Sequence, residues 1–213
     1  MTDESQLEVR RRLAAASRVV IDRLVATSAP ADLLATAADR MEGFAETLGT
    51  YPHGRTYEGF AEPANAGNPR EFFDHSPMSG EANPVAPPMV MEVDGDVVRA
   101  TVTFHGAYEG PPGCVHGGFV AAAFDEVLGL ANATSGLPAM TGTLTIRYRR
   151  PTPLRRALRF EARLDRVEGR KHFCSAELWA GDELCAESDG IFIAVGRERF
   201  EELNARRANA RPS

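Results

Sequence analysis

Hydrophobic positions along the chain follow two different periods. From about Glu4 to Thr27, Leu7, Val9, Leu13, Val19, Val20, Ile21 and Leu24 recur at three- and four-residue steps, which predicts a helix. Ser28-Ala29-Pro30 ends it, because proline disfavours helical geometry in the residue before it. A second helix is predicted from about Ala31 to Leu48, with Leu33, Leu34, Ala37, Met41, Phe44 and Leu48 on one side. The two read as a helical hairpin packed on the main domain. From Met89 the period changes to two. Met89–Val93 reads as a short strand and Asp94-Gly95 as a hairpin turn. Val98, Ala100, Val102 and Phe104 then alternate with Arg99, Thr101, Thr103 and His105, as in a half-buried strand. Four further runs follow: Met140–Arg149, Ala157–Val167, Lys171–Ala180 and Leu184–Val195. In the first, Leu144, Ile146 and Tyr148 point one way and Thr141, Thr143, Thr145 and Arg147 the other.

Between the second and third strands lies Pro112-Gly113-Cys114-Val115-His116-Gly117-Gly118-Phe119-Val120-Ala121-Ala122-Ala123-Phe124-Asp125-Glu126-Val127-Leu128-Gly129. It reads as a loop entering a helix that is apolar on nearly every side, and such a helix is normally wrapped by other structure. Two strands, one apolar helix and four meandering strands make an α+β design. The antiparallel sheet is expected to curl around the central helix. Asp125 and Glu126 conflict with that burial, since an unpaired carboxylate is costly away from water.

Residues 50–87 are rich in Gly, Pro, Asn and charge, including Pro63–Pro69 and Ser76–Gly80. Tyr51, Tyr57, Phe60, Phe72 and Phe73 argue against full disorder there, so an ordered arm over the domain is expected. The chain thus divides into a helical extension (1–49), a connecting arm (50–87), the α+β domain (88–196) and a charged tail (197–213) with a short helix.

Composition narrows the functional classes. The 213 residues carry a formal charge of −6 and are 43% hydrophobic, so no global field favours nucleic acid or an anionic membrane. No apolar run approaches the ~18 residues of a spanning helix, and the acidic N-terminus is unlike a signal peptide. Cys114, Cys174 and Cys185 lack metal-ligand spacing, which points to reduced thiols and the cytoplasm. No metal site or cofactor fingerprint is present.

A helix start carries four backbone N–H groups without intrahelical partners and a partial positive charge. At Gly117 and Gly118 no side chain blocks approach to that backbone. Anion binding, polarisation of a carbonyl, or simply a tight turn that requires glycine all fit. Asp125 follows Gly117 by eight residues, about 12 Å along a helix. For both to touch one carbonyl they must come from two subunits with antiparallel helices.

The motif His116-Gly117-Gly118 with Asp125 nine residues after the histidine, followed by Met140-Thr141-Gly142-Thr143-Leu144-Thr145-Ile146-Arg147-Tyr148-Arg149-Arg150-Pro151-Thr152-Pro153, resembles the hotdog-fold acyl-CoA thioesterases of the PaaI/4HBT group. It is also similar to the related animal thioesterase superfamily members 4 and 5. The likeness covers about residues 88–195. It implies a homodimer or dimer of dimers that hydrolyses acyl-CoA without cofactor or metal. By this resemblance the Gly117 N–H polarises the thioester carbonyl, with His116 beside it and Gly118 on the substrate side. Asp125 of the other subunit is general base or nucleophile. Thr141, with Thr143 on the same strand face as alternative, holds the attacking water. Arg147 and Arg149 meet coenzyme A phosphates, and Arg170-Lys171-His172 match the other coenzyme A contact region. Many PaaI-like enzymes carry asparagine six residues before the histidine, where this chain has Gly110.

Two rival readings stand beside hydrolysis. One is a non-catalytic hotdog module that binds acyl-CoA as a sensor, the other a hotdog dehydratase or hydratase. A dehydratase ordinarily shows an Asp/His pair in a different motif context. Cys114 lacks the orienting groups of a nucleophile, and Glu126 is expected to be a structural acid. Tyr148 and Trp179 are expected to be core or sheet-face residues.

Overall fold

The computed structural model describes residues 5–51 and 74–195. Tyr57, Phe60, Phe72, Phe73, the Pro63–Pro69 stretch and the charged tail lie outside the described residues.

Helix α1 (Gln6–Leu24) begins in a capping box, in which Ser5 and Glu8 satisfy each other's backbone N–H groups. One face docks on the domain: Ala14 is buried, and Arg11 forks onto Asp74 at 2.6 and 2.8 Å. Arg18 donates to the carbonyls of Glu81 and Asn83, and Asp22 accepts the Gly106 N–H at 2.9 Å. Helix α2 (Ala31–Gly49) behaves differently. Every one of its residues is exposed, so only the first helix of the expected hairpin packs on the domain.

The strands are β1 (Val90–Asp94), β2 (Val97–Val102), β3 (Ala139–Tyr148), β4 (Leu158–Glu168), β5 (Lys171–Ala180) and β6 (Glu183–Ala194). They form one six-stranded antiparallel sheet in the order β1-β2-β4-β5-β6-β3, curved around helix α3 (Gly117–Ala133) in the hotdog arrangement. Along β4 and β5 the pleat sends alternate residues inward, so Leu158, Phe160, Ala162, Cys174, Ala176 and Leu178 are buried. From α3 they meet Val120, Phe124, Val127 and Leu128, with Phe124 edge-on to Phe160 at 5.2 Å between centroids. His172 also points inward, fully buried, with Nδ1 2.6 Å from Asn132 Oδ1 near the end of α3. A ligand outside the sheet cannot reach it, which removes His172 from the expected coenzyme A contact region.

Helix α3 is wrapped on one side only. Gly118 and Asp125 are exposed in the single chain and Ala122 and Gly129 are half-buried, so an open strip of small residues runs along it. This differs from a helix enclosed all round. The sheet is a single layer and covers only the face bearing the large side chains.

The arm from Asp74 onward is ordered and buries Met78, Ala82, Ala86 and Met89. Ser76 and Ser79 both donate hydroxyl hydrogen bonds to Oε1 of Glu126. Glu126 is therefore the structural acid it was expected to be, clamping the arm to the central helix.

Candidate active site

The start of α3 is built by a loop that folds back tightly. Gly110 N–H donates to the Cys114 carbonyl at 2.9 Å, and His116 N–H to the Tyr108 carbonyl at 2.8 Å. A Cβ at Gly110 would lie 2.7 Å from the His116 Cα, so no side chain fits there. Glycine at position 110 is a steric requirement of this loop, and the position offers no polar side chain to a ligand.

His116 is the N-cap, with extended backbone (φ −61°, ψ 132°). Its Nδ1 accepts the Gly118 N–H at 3.0 Å, so the neutral ring carries its proton on Nε2. Phe119 and Val120 donate to the His116 carbonyl at 2.9 and 3.3 Å. One amide of the first turn remains. The Gly117 N–H has no acceptor among the described residues. The Gly118 N–H, by contrast, is used internally, so Gly118 offers a bare Cα to a ligand rather than a hydrogen bond.

Tyr148, at the end of β3, donates its hydroxyl to the Gly117 carbonyl at 2.8 Å. A Cβ on Gly117 would touch that ring, with the hydroxyl oxygen 3.4 Å away. The sequence pattern leaves Tyr148 as a core or sheet-face residue; only the fold shows that its hydroxyl fixes the helix start. The available signal was its position in the second motif, one residue before Arg149.

The second cluster lies mid-helix. Exposed Asp125 accepts a hydrogen bond from Thr141 Oγ1 at 2.8 Å on Oδ1. Thr141 reaches the helix because β3 is irregular at Gly142: Thr141 pairs with Phe192 whereas Thr143 pairs with Ile191. Adjacent residues of β6 face opposite sides, so Thr141 and Thr143 do not share a face. The expected equivalence of the two threonines is thereby corrected, and Thr143 cannot stand in for Thr141 beside Asp125. Asp125 and the Gly117 N–H, separated by eight residues of one straight helix, are about 12 Å apart.

The cations divide between the two ends of the sheet. Arg149 follows Tyr148 at the end that holds Gly117 and pairs with Glu187 at 2.5 Å. It lines a groove of about 820 Å³ together with Arg150, Arg156, Trp179 and Asp182. Arg147 shares the outer face of the sheet with Arg149 and pairs with Asp189 at 2.6 Å. Lys171 is at the opposite end, registered with Ile193, which also pairs with Met140 beside Thr141. Arg170 joins it there and donates to the Ala194 carbonyl. Two groups of contacting residues result, His116, Gly117 and Tyr148 at the start of α3 and Asp125 with Thr141 farther along it, while Arg149 lies near one end of the sheet and Arg170 and Lys171 near the other.

The cysteines stand apart from this chemistry. Burial pushes the Cys174 thiol up to about 12 and raises that of Cys185. Cys114 is half-buried and hydrogen-bonded to the Pro112 carbonyl.

Comparison with known proteins meets this geometry from another direction. Residues 112–187 match the model of the thioesterase superfamily. A crystallised thioesterase superfamily protein superposes with a TM-score of 0.75 at 35% identity, over 86% of this chain and 94% of that one. The acyl-coenzyme A thioesterase THEM4 of Bos taurus is 36% identical over 110 residues, 50% of this chain and 45% of its own length. THEM5 of Homo sapiens is 32% identical over 96 residues, 44% of this chain and 39% of its own. The match spans less than half the length of these two curated relatives.

Proposed function

The chain belongs to the thioesterase superfamily, and from that premise we propose that it hydrolyses an acyl-CoA thioester to a free acid and coenzyme A. The observation that carries this reading is the pairing of two incomplete sites. One has an amide donor without an acceptor, Gly117 N–H, and the other an exposed carboxylate oriented by a hydroxyl, Asp125 on Thr141. The names of the acyl-coenzyme A thioesterases similar to this chain support the substrate class.

In the proposed mechanism the thioester oxygen accepts the Gly117 N–H, at the positive end of α3. Thr141 holds Oδ1 of Asp125 and leaves Oδ2 to take a proton from water. The water oxygen bonds to the carbonyl carbon, and negative charge gathers on the oxygen held by Gly117. Collapse of that intermediate breaks the C–S bond, and coenzyme A leaves as a thiolate. A thiolate is a good leaving group, so one donor and one base suffice. His116 orders the donor turn through its N-cap bond, and Tyr148 fixes the donor peptide's neighbour from below.

The two halves belong to different subunits in this proposal. With α3 helices antiparallel across a two-fold axis, Gly117 of one chain meets the Asp125–Thr141 pair of its partner. Strand β3 is an edge of the sheet, and its ten residues leave a row of backbone groups open to a second copy. The same pairing brings Arg149 of one chain toward Arg170 and Lys171 of the partner, where they meet coenzyme A phosphates. Among the described residues no helix is long and apolar enough to cross a membrane.

Thiol release from short, medium, long and aromatic acyl-CoAs tests the assignment. Turnover with a preferred acyl length is expected. Coenzyme A binding without turnover on any member would replace the hydrolase with a binding module.

A further inference from the structure

Backbone constraints concentrate on one short segment, residues 104–116, which leads into the donor turn. Arg155 donates its N–H to the Phe104 carbonyl at 2.8 Å from left-handed backbone (φ 56°), a costly conformation for a residue other than glycine. Such strain persists where the surroundings over-determine it, and it clusters near functional sites. At Gly106 a Cβ would crowd both Arg155 Nη2 and Asp22 Oδ1, each 3.2 Å away.

Within this segment lies a one-turn 3₁₀ helix, Gly106–Tyr108, whose last residue is buried and held at every group. The Tyr108 ring stands edge-on to Phe104 and Phe119, with centroids 5.4 and 4.9 Å away. Its hydroxyl donates to the Val85 carbonyl of the arm at 2.9 Å. Its backbone carbonyl accepts the His116 N–H at 2.8 Å. Tyr108 therefore touches both residues that flank the Gly117-Gly118 step.

Helix α1 reaches this tyrosine by two routes. Directly, Asp22 Oδ1 accepts the Gly106 N–H at 2.9 Å and the Arg155 guanidinium at 3.1 Å. Through the arm, Arg18 donates to the Asn83 carbonyl at 2.9 Å, and the Asn83 side-chain oxygen accepts the Val85 N–H at 2.9 Å. The Val85 carbonyl then takes the Tyr108 hydroxyl. Four segments remote in sequence converge on one buried ring.

We propose that Tyr108 is a positioning residue, through which the seating of α1 and the arm sets the direction of the Gly117 N–H. This rests on the reading of Gly117 as the donor to the thioester oxygen. A donor turned slightly away loses its value where charge develops, while contacts that bind the rest of the substrate are untouched. Helix α1 and the arm from Asp74 are then working parts of the enzyme, although neither supplies a reacting group.

The test compares the full chain with Tyr108→Phe, which keeps the ring and removes the hydroxyl, and with Asp22→Ala, which acts from α1. Each variant is expected to lower kcat about tenfold with KM within about twofold of wild type. Hydrogen–deuterium exchange over residues 113–120, read by mass spectrometry without substrate, is expected to quicken in both, while β4 and β5 stay protected. Unchanged exchange in the folded variants overturns the proposal. So does faster exchange with kcat unaltered, because the turn would then be held for no catalytic purpose. Protection lost across the whole sheet overturns it as well, by making Tyr108 a residue of the core alone. A wild type that turns over no acyl-CoA sinks the thioesterase reading instead, and exchange over 113–120 still decides whether Tyr108 holds the turn.

Discussion

Neighbouring residues on a helix point about 100° apart, and α3 uses that angle to give two adjacent carboxylates different environments. Glu126 turns toward the arm and is held by two serine hydroxyls, while Asp125 turns to the open strip and is held by Thr141. If Asp125 is the base, Asp125→Asn lowers kcat by a factor of ~10² or more while coenzyme A still binds. Titration calorimetry with coenzyme A, run beside the kinetics, separates the two effects. Tyr148 gives a finer prediction. Its hydroxyl is engaged by the Gly117 carbonyl, which makes it a positioning residue in the proposed mechanism. Tyr148→Phe is expected to lower kcat about tenfold with KM little changed, less than the loss of a direct oxyanion donor. Because the side chain is half exposed, the melting temperature should stay where it is. A parallel fall in stability and activity would instead make the bond merely structural.

Most elements were legible because their periods were clean. The alternation in β4 and β5 survives almost intact in the burial of Leu158, Phe160, Cys174 and Leu178. Two things were not legible. Gly142 only hints at an irregularity, because an isolated glycine in a strand can mark a bulge or merely a close backbone approach; the register with β6 is what shows that Thr141 and Thr143 part company. The fate of α2 was also hidden, since an amphipathic pattern states that a face wants cover but not which molecule supplies it. The arm follows from Ser76 and Ser79: replacing both with alanine leaves the Glu126 carboxylate without these donors, at a cost of about 1–3 kcal/mol. A lower melting temperature by calorimetry checks it. Docking of α1 carries a pH signature. The Gly106 N–H, and then Arg155, hold Asp22 below the ordinary carboxylate value. Its stabilisation is therefore complete above the unfolded value of about 4 and is lost as pH falls through the lower folded one. Asp22→Asn should melt below wild type at neutral pH, and the gap should close as the pH drops below about 4.

At the scale of the whole molecule, the hotdog arrangement accounts for the two half-sites of the proposed mechanism. The helix start and the middle of the same rigid helix cannot approach each other, and the cations follow them to opposite ends of the sheet. That much could be argued from an eight-residue spacing alone. The role of Tyr148 and the internal use of the Gly118 N–H could not, because both depend on contacts between segments far apart in sequence or on a side-chain rotamer. Complementation between chains tests the composite site most directly. Gly117→Pro removes the Gly117 N–H, which has no acceptor among the described residues, at a first-turn position that tolerates proline, after a residue already in extended backbone. Homodimers of Gly117→Pro or of Asp125→Asn should each be nearly inactive. A purified hybrid with one chain of each keeps one intact site and one doubly broken site. Thiol release at about half the wild-type rate per hybrid dimer is the predicted result. A hybrid no more active than its inactive parents would contradict a site shared between two subunits.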